Sequence, residues 1–303
     1  GSLPDDQEAL ADVLEQTTVF GRVRPHQKKA MVEALQSRGH VVAMTGDGVN
    51  DVLALKQADL GVAMGSGSAA ARSVARLVLV DGSFAALPPV VAEGRRVLAN
   101  VERVANLFVT KTVYAMALAI SISIAGLEFP FLPRQLTIIS SLTIGVPAFF
   151  LALAPASARA RPGFAARVLR FAIPAGAIAA AATFTGYAVA RTEATSELAD
   201  ARTAAAITLF GVTWWVLALL ARPLTMLRRV LLGSMVLAFA LALSVPSLQT
   251  FYALDPPSPL VFFACLGVVA ISDALLEIGW RGAEWLRARN AVTADEAAAT
   301  SGA

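Results

Sequence analysis

Two carboxylates, Asp47 and Asp51, sit four positions apart in the string Met44-Thr45-Gly46-Asp47-Gly48-Val49-Asn50-Asp51. At that spacing they can face one metal ion. Gly46 and Gly48 let the backbone approach an anion closely. Upstream, Arg22-Val23-Arg24-Pro25-His26-Gln27-Lys28 places a fixed cation where a phosphate could be gripped. A hard metal site, a fixed cation and a glycine-rich turn are the parts that phosphoryl transfer uses. The plainer reading of the two acids is a helix cap and a first-turn acid, and Asp51 can serve in both ways. The two histidines, His26 and His40, read as solvated residues at element starts.

Such a loop needs a strand before it and a helix after it. Residues 40–45 read as a buried strand and residues 50–58 as a helix. Around them, the pattern predicts helices over 5–16, 25–37 and 69–75, and strands over 18–23, 60–64 and 77–80. Pro25 in the first turn and Gly39 after the last mark the ends of one helix. Alternating strands and helices with short connections predict a parallel, doubly wound α/β sheet. Ligands bind such sheets at the carboxyl ends of the strands, where Thr45 to Asp51 would lie.

Beyond residue 103 the composition changes. The whole chain is 56% hydrophobic and 16% charged, against about 25% charged in an ordinary soluble domain. Residues 84–102 read as a long amphipathic helix leading into six apolar blocks, roughly 104–127, 135–154, 168–190, 204–221, 230–246 and 259–280. Each approaches the ~20 residues that span a bilayer. The loop charges are lopsided. Arg159, Arg161, Arg167 and Arg170 follow the second block, Arg222, Arg228 and Arg229 the fourth, and Arg281, Arg287 and Arg289 the sixth. The loop after the third is acidic apart from its ends, and the loop after the fifth has no Lys or Arg. The positive-inside rule then predicts six spans with both ends cytoplasmic, which puts the loop of Asp47 where ATP is. The pI near 9.3 follows from these flanking arginines, so lipids rather than nucleic acid are the expected partner. A lone cysteine, Cys265, inside an apolar block excludes a disulfide framework.

Phe20-Gly21-Arg22-Val23-Arg24-Pro25-His26-Gln27-Lys28, Met44 to Asp51, Asp59-Leu60-Gly61-Val62-Ala63-Met64-Gly65 and Gly94-Arg95-Arg96 together resemble segments of the P-type ATPases. These are pumps that form an aspartyl-phosphate. The resemblance runs over roughly residues 19–155. It implies a partial haloacid-dehalogenase-like (Rossmann-like) phosphorylation domain over 1–99, an all-α transmembrane bundle over 100–290 and a disordered tail over 291–303. It also implies roles. Asp47 would hold Mg2+ at the transferring phosphoryl group, and Asp51 would support that site. Asn50 would bond a phosphoryl oxygen, and Lys28 would neutralise charge. Thr45 and Gly46 would line the phosphate pocket, and Arg22 would reach the nucleotide, ATP.

The family's Asp-Lys-Thr-Gly-Thr and Thr-Gly-Glu-Ser motifs do not occur in the chain, which starts Gly1-Ser2. The expectation is the C-terminal part of a pump, inactive by itself and completed by a missing N-terminal part. High Ala, Arg and Leu usage hints at a high-GC bacterium, and the expected location of the pump is the plasma membrane.

Polar residues inside apolar blocks are the transport candidates. The first block holds Asn106, Lys111, Thr112 and Tyr114, with Ala115 where calcium pumps of the family carry an acid. The second offers Ser140, Ser141 and Thr143, with Ser140 and Ile144 where the family has an Asn and Asp pair. Gly145 and Pro147 are placed to unwind that helix. Lys111 is either a built-in counter-ion or a stem that snorkels to the interface, and snorkelling is favoured. Asp273 and Glu277 are expected to pair with Arg281. The resemblance implies a metal cation such as calcium, held by a non-standard site. A lipid flippase and a non-catalytic scaffold are the alternatives.

Overall fold

The computed structural model describes residues 3–153, 163–193 and 197–301, with the backbone alone at 287–288 and 290–301. The chain divides into two compact units, Gly1–Glu93 and Gly94–Ala303. Arg159 and Arg161, counted above among the loop charges, lie outside the described residues.

In the first unit, α1 (Gln7–Gln16) is capped by Asp6, whose Oδ2 accepts from the Ala9 amide at 2.9 Å. Helix α2 (Pro25–Ser37) opens on Pro25, and the Arg24 amide donates to Gln27 Oε1 at 3.0 Å. Strand β1 (Ala43–Gly46) runs into a 3-10 turn (Val49–Asp51) and α3 (Val52–Gln57). Then come β2 (Leu60–Met64), α4 (Ala69–Val74) and β3 (Leu77–Leu79). The strands are all parallel in the order β1-β2-β3, with Ala43 beside Leu60 and Met64 beside Leu79. Leu55, Ala63 and Ala71 form the core between β2, α3 and α4, while Leu10, Ala11 and Ala34 close α1 on α2.

Four expectations change. Residues 18–23 form no strand, because among the described residues no neighbour pairs with them, and Val19 is exposed. Strand β1 begins at Ala43 rather than at 40, and Val41 is 87% exposed. β1 is an edge strand covered on one side only, so it is not the buried strand its apolar run suggests. The sheet is parallel as expected. The reversal of strand order that defines a doubly wound sheet is absent among the described residues.

The second unit is helical. Its elements are α5 (Leu87–Ala125, which begins in the first unit), α6 (Pro133–Ser140), a π-helical turn (Ser141–Gly145) and α7 (Val146–Ala152). They continue with α8 (Phe164–Thr192), α9 (Leu198–Leu220), α10 (Met226–Ser244), α11 (Pro246–Tyr252) and α12 (Pro259–Ser301). Six segments among the described residues are long and apolar enough to cross a bilayer. α6, the π turn and α7 make one of them, and α11 is an unforeseen short helix in the arginine-free loop. α12 is helical as far as Ser301, within the stretch 291–303 expected to be a tail.

Helix α9 is the centre of the bundle, with α8 and α12 against it. Its facing residues are small, Ala204, Ala205 and Ala206 among them. In lipid, helices gain little by hiding apolar surface from one another, so close backbone approach takes over. Gly186 makes room for Thr208: a Cβ there would meet the Thr208 Cβ at 3.1 Å. Large apolar residues such as Phe108, Ile120, Leu237 and Phe263 point outward instead. That is inside-out for water and ordinary for a bilayer.

Candidate functional site

In the sheet unit the site forms where β1 ends. Lys28, carried by α2, reaches Asp51 with Nζ–Oδ1 at 2.6 Å. Asp51 is buried, and its second oxygen accepts from the Gly48 amide at 3.3 Å. The Gly46 backbone lies directly against this carboxylate; a Cβ at Gly46 would fall 2.5 Å from the Asp51 Cβ. Only glycine fits there, which gives the motif's first glycine a steric reason.

Asp47 is different. Its carbonyl is pinned by the Ser68 amide at 2.7 Å, and a Cβ at Gly67 would come within 2.7 Å of the same oxygen. Its carboxylate is exposed and makes no hydrogen bond or ion pair among the described residues. Asn50 is exposed on the 3-10 turn next to it. Thr45 and Gly46 end β1, half-buried. Arg22 is exposed, with φ of 54°. The fold therefore brings Lys28 and Asp51 into contact and leaves Asp47 and Asn50 facing outward.

Mg2+ takes six oxygens, commonly one or two carboxylates with phosphate and water oxygens completing the set. Among the described residues no three acids, histidines or cysteines cluster as a cage. One idle carboxylate at Asp47 fits a partial site of that kind. Asp51 is occupied by Lys28 in this structure, so it anchors the cation more directly than it could ligate a metal.

Asp59, which follows the Met44–Asp51 string, was assigned no role from sequence. Its Oδ2 accepts from the Val42 amide at 2.9 Å and from Gln36 Nε2 at 3.1 Å, tying α2 to the start of β1. The Val42 hydrogen bond, seconded by Gln36, holds its carboxyl below the ordinary value.

In the bundle, α5 carries Asn106, Thr110 and Tyr114 on one stripe at a spacing of four, all buried. Asn106 Oδ1, Thr110 Oγ1, Tyr114 Oη and Ser140 Oγ are buried atoms with no hydrogen-bond partner among the described residues. The π turn falls on Ser141–Gly145, where Gly145 and Pro147 were expected to disturb the helix. A π turn shifts the hydrogen-bond ladder by one residue and often marks a functional position. Thr143 is buried, and its hydroxyl donates to the Ile139 carbonyl at 2.8 Å. Ser141 is exposed. Lys111 is half-buried, off the Asn106 stripe and without an ion pair among the described residues.

Glu277 pairs with Arg281 at 2.7 Å as expected, but also with Arg222 at 2.7 Å. Asp273 does not share that pairing; its Oδ1 is buried without a partner among the described residues. The expectation that both acids pair with Arg281 is corrected: one helical turn separates them, and Arg222 and Arg281 both converge on Glu277.

Sequence reading missed several residues. Thr110 was findable, since it completes a spacing of four between Asn106 and Tyr114. Arg222 was not, being 55 positions from Glu277. Neither was Gln135, fully buried, whose Nε2 donates to the Ala253 carbonyl at 2.6 Å and holds α6 to the end of α11.

The model of a haloacid dehalogenase-like hydrolase family matches residues 1–59. A calcium-transporting ATPase of Mycolicibacterium smegmatis is 51% identical over 300 residues, 95% of this chain and 37% of that protein. Its counterpart in Mycobacterium tuberculosis is 48% identical over 301 residues, again 95% of this chain and 37% of the relative. A calcium-transporting ATPase of Bacillus subtilis is 39% identical over 148 residues, 48% of this chain and 17% of that protein. The chain spans 37% of the length of the mycobacterial relatives.

Proposed function

Proceeding from kinship with the P-type cation-transporting ATPases, we propose that this chain supplies the magnesium-side half of an aspartyl-phosphate site and six spans of a cation pump. The pump would use ATP, sit in a bacterial plasma membrane with both ends of this chain cytoplasmic, and carry a metal cation such as calcium. The cargo reading draws on the similarity to calcium-transporting ATPases. It favours a cation over a flipped lipid or an inert scaffold.

One observation carries the catalytic half: Lys28 locked to buried Asp51 at 2.6 Å, beside an idle Asp47 at the carboxyl end of β1. Phosphoryl transfer asks the protein for placement and charge compensation rather than covalent chemistry. Lys28, partly exposed, offers positive charge to an incoming phosphoryl group while Asp51 fixes its position. Asn50, on the same turn, would donate to a phosphoryl oxygen, Thr45 and Gly46 would line the pocket, and Arg22 would reach toward nucleotide. Bound Mg2+, held by Asp47 with Asp51 behind it, would add charge compensation on the phosphoryl oxygens. The aspartate that accepts the phosphoryl group would come from outside this chain.

In the bundle, the stripe Asn106, Thr110 and Tyr114, with Ser140, Ser141 and Thr143 at the π turn, is the proposed polar lining of the cation path. Lys111 lies apart from the stripe, which favours snorkelling over a counter-ion role. The test is Asp47→Asn in the full-length protein. ATP turnover should fall by about a hundredfold to a thousandfold, the scale of losing a principal charge-stabilising group. Undiminished turnover refutes the assignment.

A further inference from the structure

A cleft of about 430 Å³ lies between α8 and α12, lined by none of the residues placed in the cation path. Its walls are mostly apolar, Phe171, Ile178 and Leu276 among them, with Arg167, Arg170 and Trp280 as the polar exceptions. No acid lines it. We infer that this cleft is a binding site for one anionic phospholipid, its phosphate at Arg170 and an acyl chain along the apolar wall toward Ile178.

The two arginines differ. Arg167 is committed to Glu102, with Nε and Nη2 at 3.0 and 2.8 Å from the two carboxylate oxygens, so that pair is close to neutral. Arg170 is exposed and makes no hydrogen bond or ion pair among the described residues. It leaves the cleft with one uncompensated positive charge. Trp280 lines the cleft with its ring edge-on to Phe171, centroids 5.5 Å apart. A phosphodiester would compensate the Arg170 charge.

The apolar wall decides what carries that phosphate. From Arg170 to Ile178 the helix rises about 12 Å at 1.5 Å per residue, and both walls belong to segments long and apolar enough to span a bilayer. A free phosphate gains nothing from such a trough and would meet a single free cation. An amphiphile gains from both ends, and a basic groove between spanning helices is a recognised form of lipid site. The lipid site stands apart from the phosphoryl chemistry, and its test needs no turnover.

The experiment is native mass spectrometry of the full-length protein in detergent, titrated with phosphatidylglycerol and with phosphatidylcholine of matched chains. Wild type should retain one phosphatidylglycerol in preference to phosphatidylcholine. The preference should weaken as salt rises, because the charge is exposed. Arg170→Gln should lower phosphatidylglycerol retention about fivefold, the factor expected for one basic residue at a membrane surface. Arg170→Lys should keep the preference, which separates lost charge from lost fold. Ile178→Trp, which fills the trough, should reduce retention of both lipids alike. Equal retention of the two lipids by wild type overturns the inference, as does unchanged phosphatidylglycerol retention in Arg170→Gln. Displacement of the lipid by water-soluble glycerophosphoglycerol would also overturn it, by showing that a phosphate alone suffices.

Discussion

Polar side chains are left idle in both units of this protein, but under opposite circumstances. In the sheet unit Asp47 and Asn50 are exposed, so water satisfies them and their idleness costs little. In the bundle, Asn106 Oδ1 and the hydroxyls of Thr110, Tyr114 and Ser140 are buried and unpartnered among the described residues. Each such atom costs on the order of 1–3 kcal/mol. Idle groups in water are what any surface has; idle groups in a bundle require either an unseen partner or a job. Charge pairs contrast by depth rather than by unit, since Asp51 in the sheet is itself only 9% exposed. Lys29 and Glu33 make a routine exposed pair at 3.1 Å, whereas Glu277 holds two arginines with its own side chain 16% exposed.

The strongest way to break this contrast is to attack the sheet unit where it is tight. Gly46→Val would drive a side chain into Asp51, whose Cβ is already 2.5 Å from the position of an added Cβ. Overpacking of this kind costs about 1–3 kcal/mol. Displacing Asp51 also moves Lys28, so ATP turnover of the full-length protein should fall at least about a hundredfold, the penalty for a misplacement near 1 Å. Near-normal turnover with normal thermal stability would mean that the turn is looser than its contacts indicate.

Next in size is a matched pair of substitutions that sets the two environments side by side. Glu33→Gln removes the exposed partner of Lys29 and should shift stability by only about 0.3–0.5 kcal/mol. Glu277→Gln leaves Arg222 and Arg281 facing each other at the rim of the bundle. A fully buried pair broken this way costs about 3–5 kcal/mol; Arg222 is 34% exposed, so solvent screening reduces the expectation to about 1–2 kcal/mol. Thermal unfolding of each variant in detergent checks both. Equal shifts would erase the difference between the two pairs.

What could be read beforehand divides along the same line. Hydrophobic period and length announced α1, α2, β2 and all six spans, because those signals are local and cumulative. The phosphate loop was legible as a motif, whereas the packing of Gly46 against the Asp51 side chain was not. The strand expected over 18–23 failed because a strand needs a neighbour, and partners are not written locally. Arg222 on Glu277 and Gln135 on Ala253 were out of reach for the same reason. The π turn was half legible: Gly145 and Pro147 announced a disturbance, but its form depends on the ladder around it.

A smaller effect sharpens the meaning of the orphan stripe. Tyr114→Phe deletes a buried hydroxyl that has no partner among the described residues and keeps the ring. If the hydroxyl only burdens the core, stability should rise or stay within about 1 kcal/mol, and transport should be untouched. If the stripe lines the cation path, ion flux through reconstituted full-length protein should drop while stability holds. That second outcome is the one expected. Thr110→Val, tested alongside, should behave the same way, since the two residues share one face.

The smallest effect concerns Asp59, and its sign follows from linkage. Its folded carboxyl is held below the ordinary value by the Val42 amide and Gln36. A depressed folded value means the carboxylate contributes stability above its unfolded pKa near 4. That contribution fades as pH falls through the folded value, because protonation weakens its acceptor oxygens. Asn at this position keeps an oxygen for the Val42 amide but cannot titrate. Asp59→Asn should therefore be slightly less stable than wild type at pH 7, and the gap should close below about pH 4. Thermal unfolding of the two proteins from pH 7 down to pH 3 reads the crossing directly. A gap that is independent of pH would show that Asp59 ties α2 to β1 by shape alone, with its charge irrelevant.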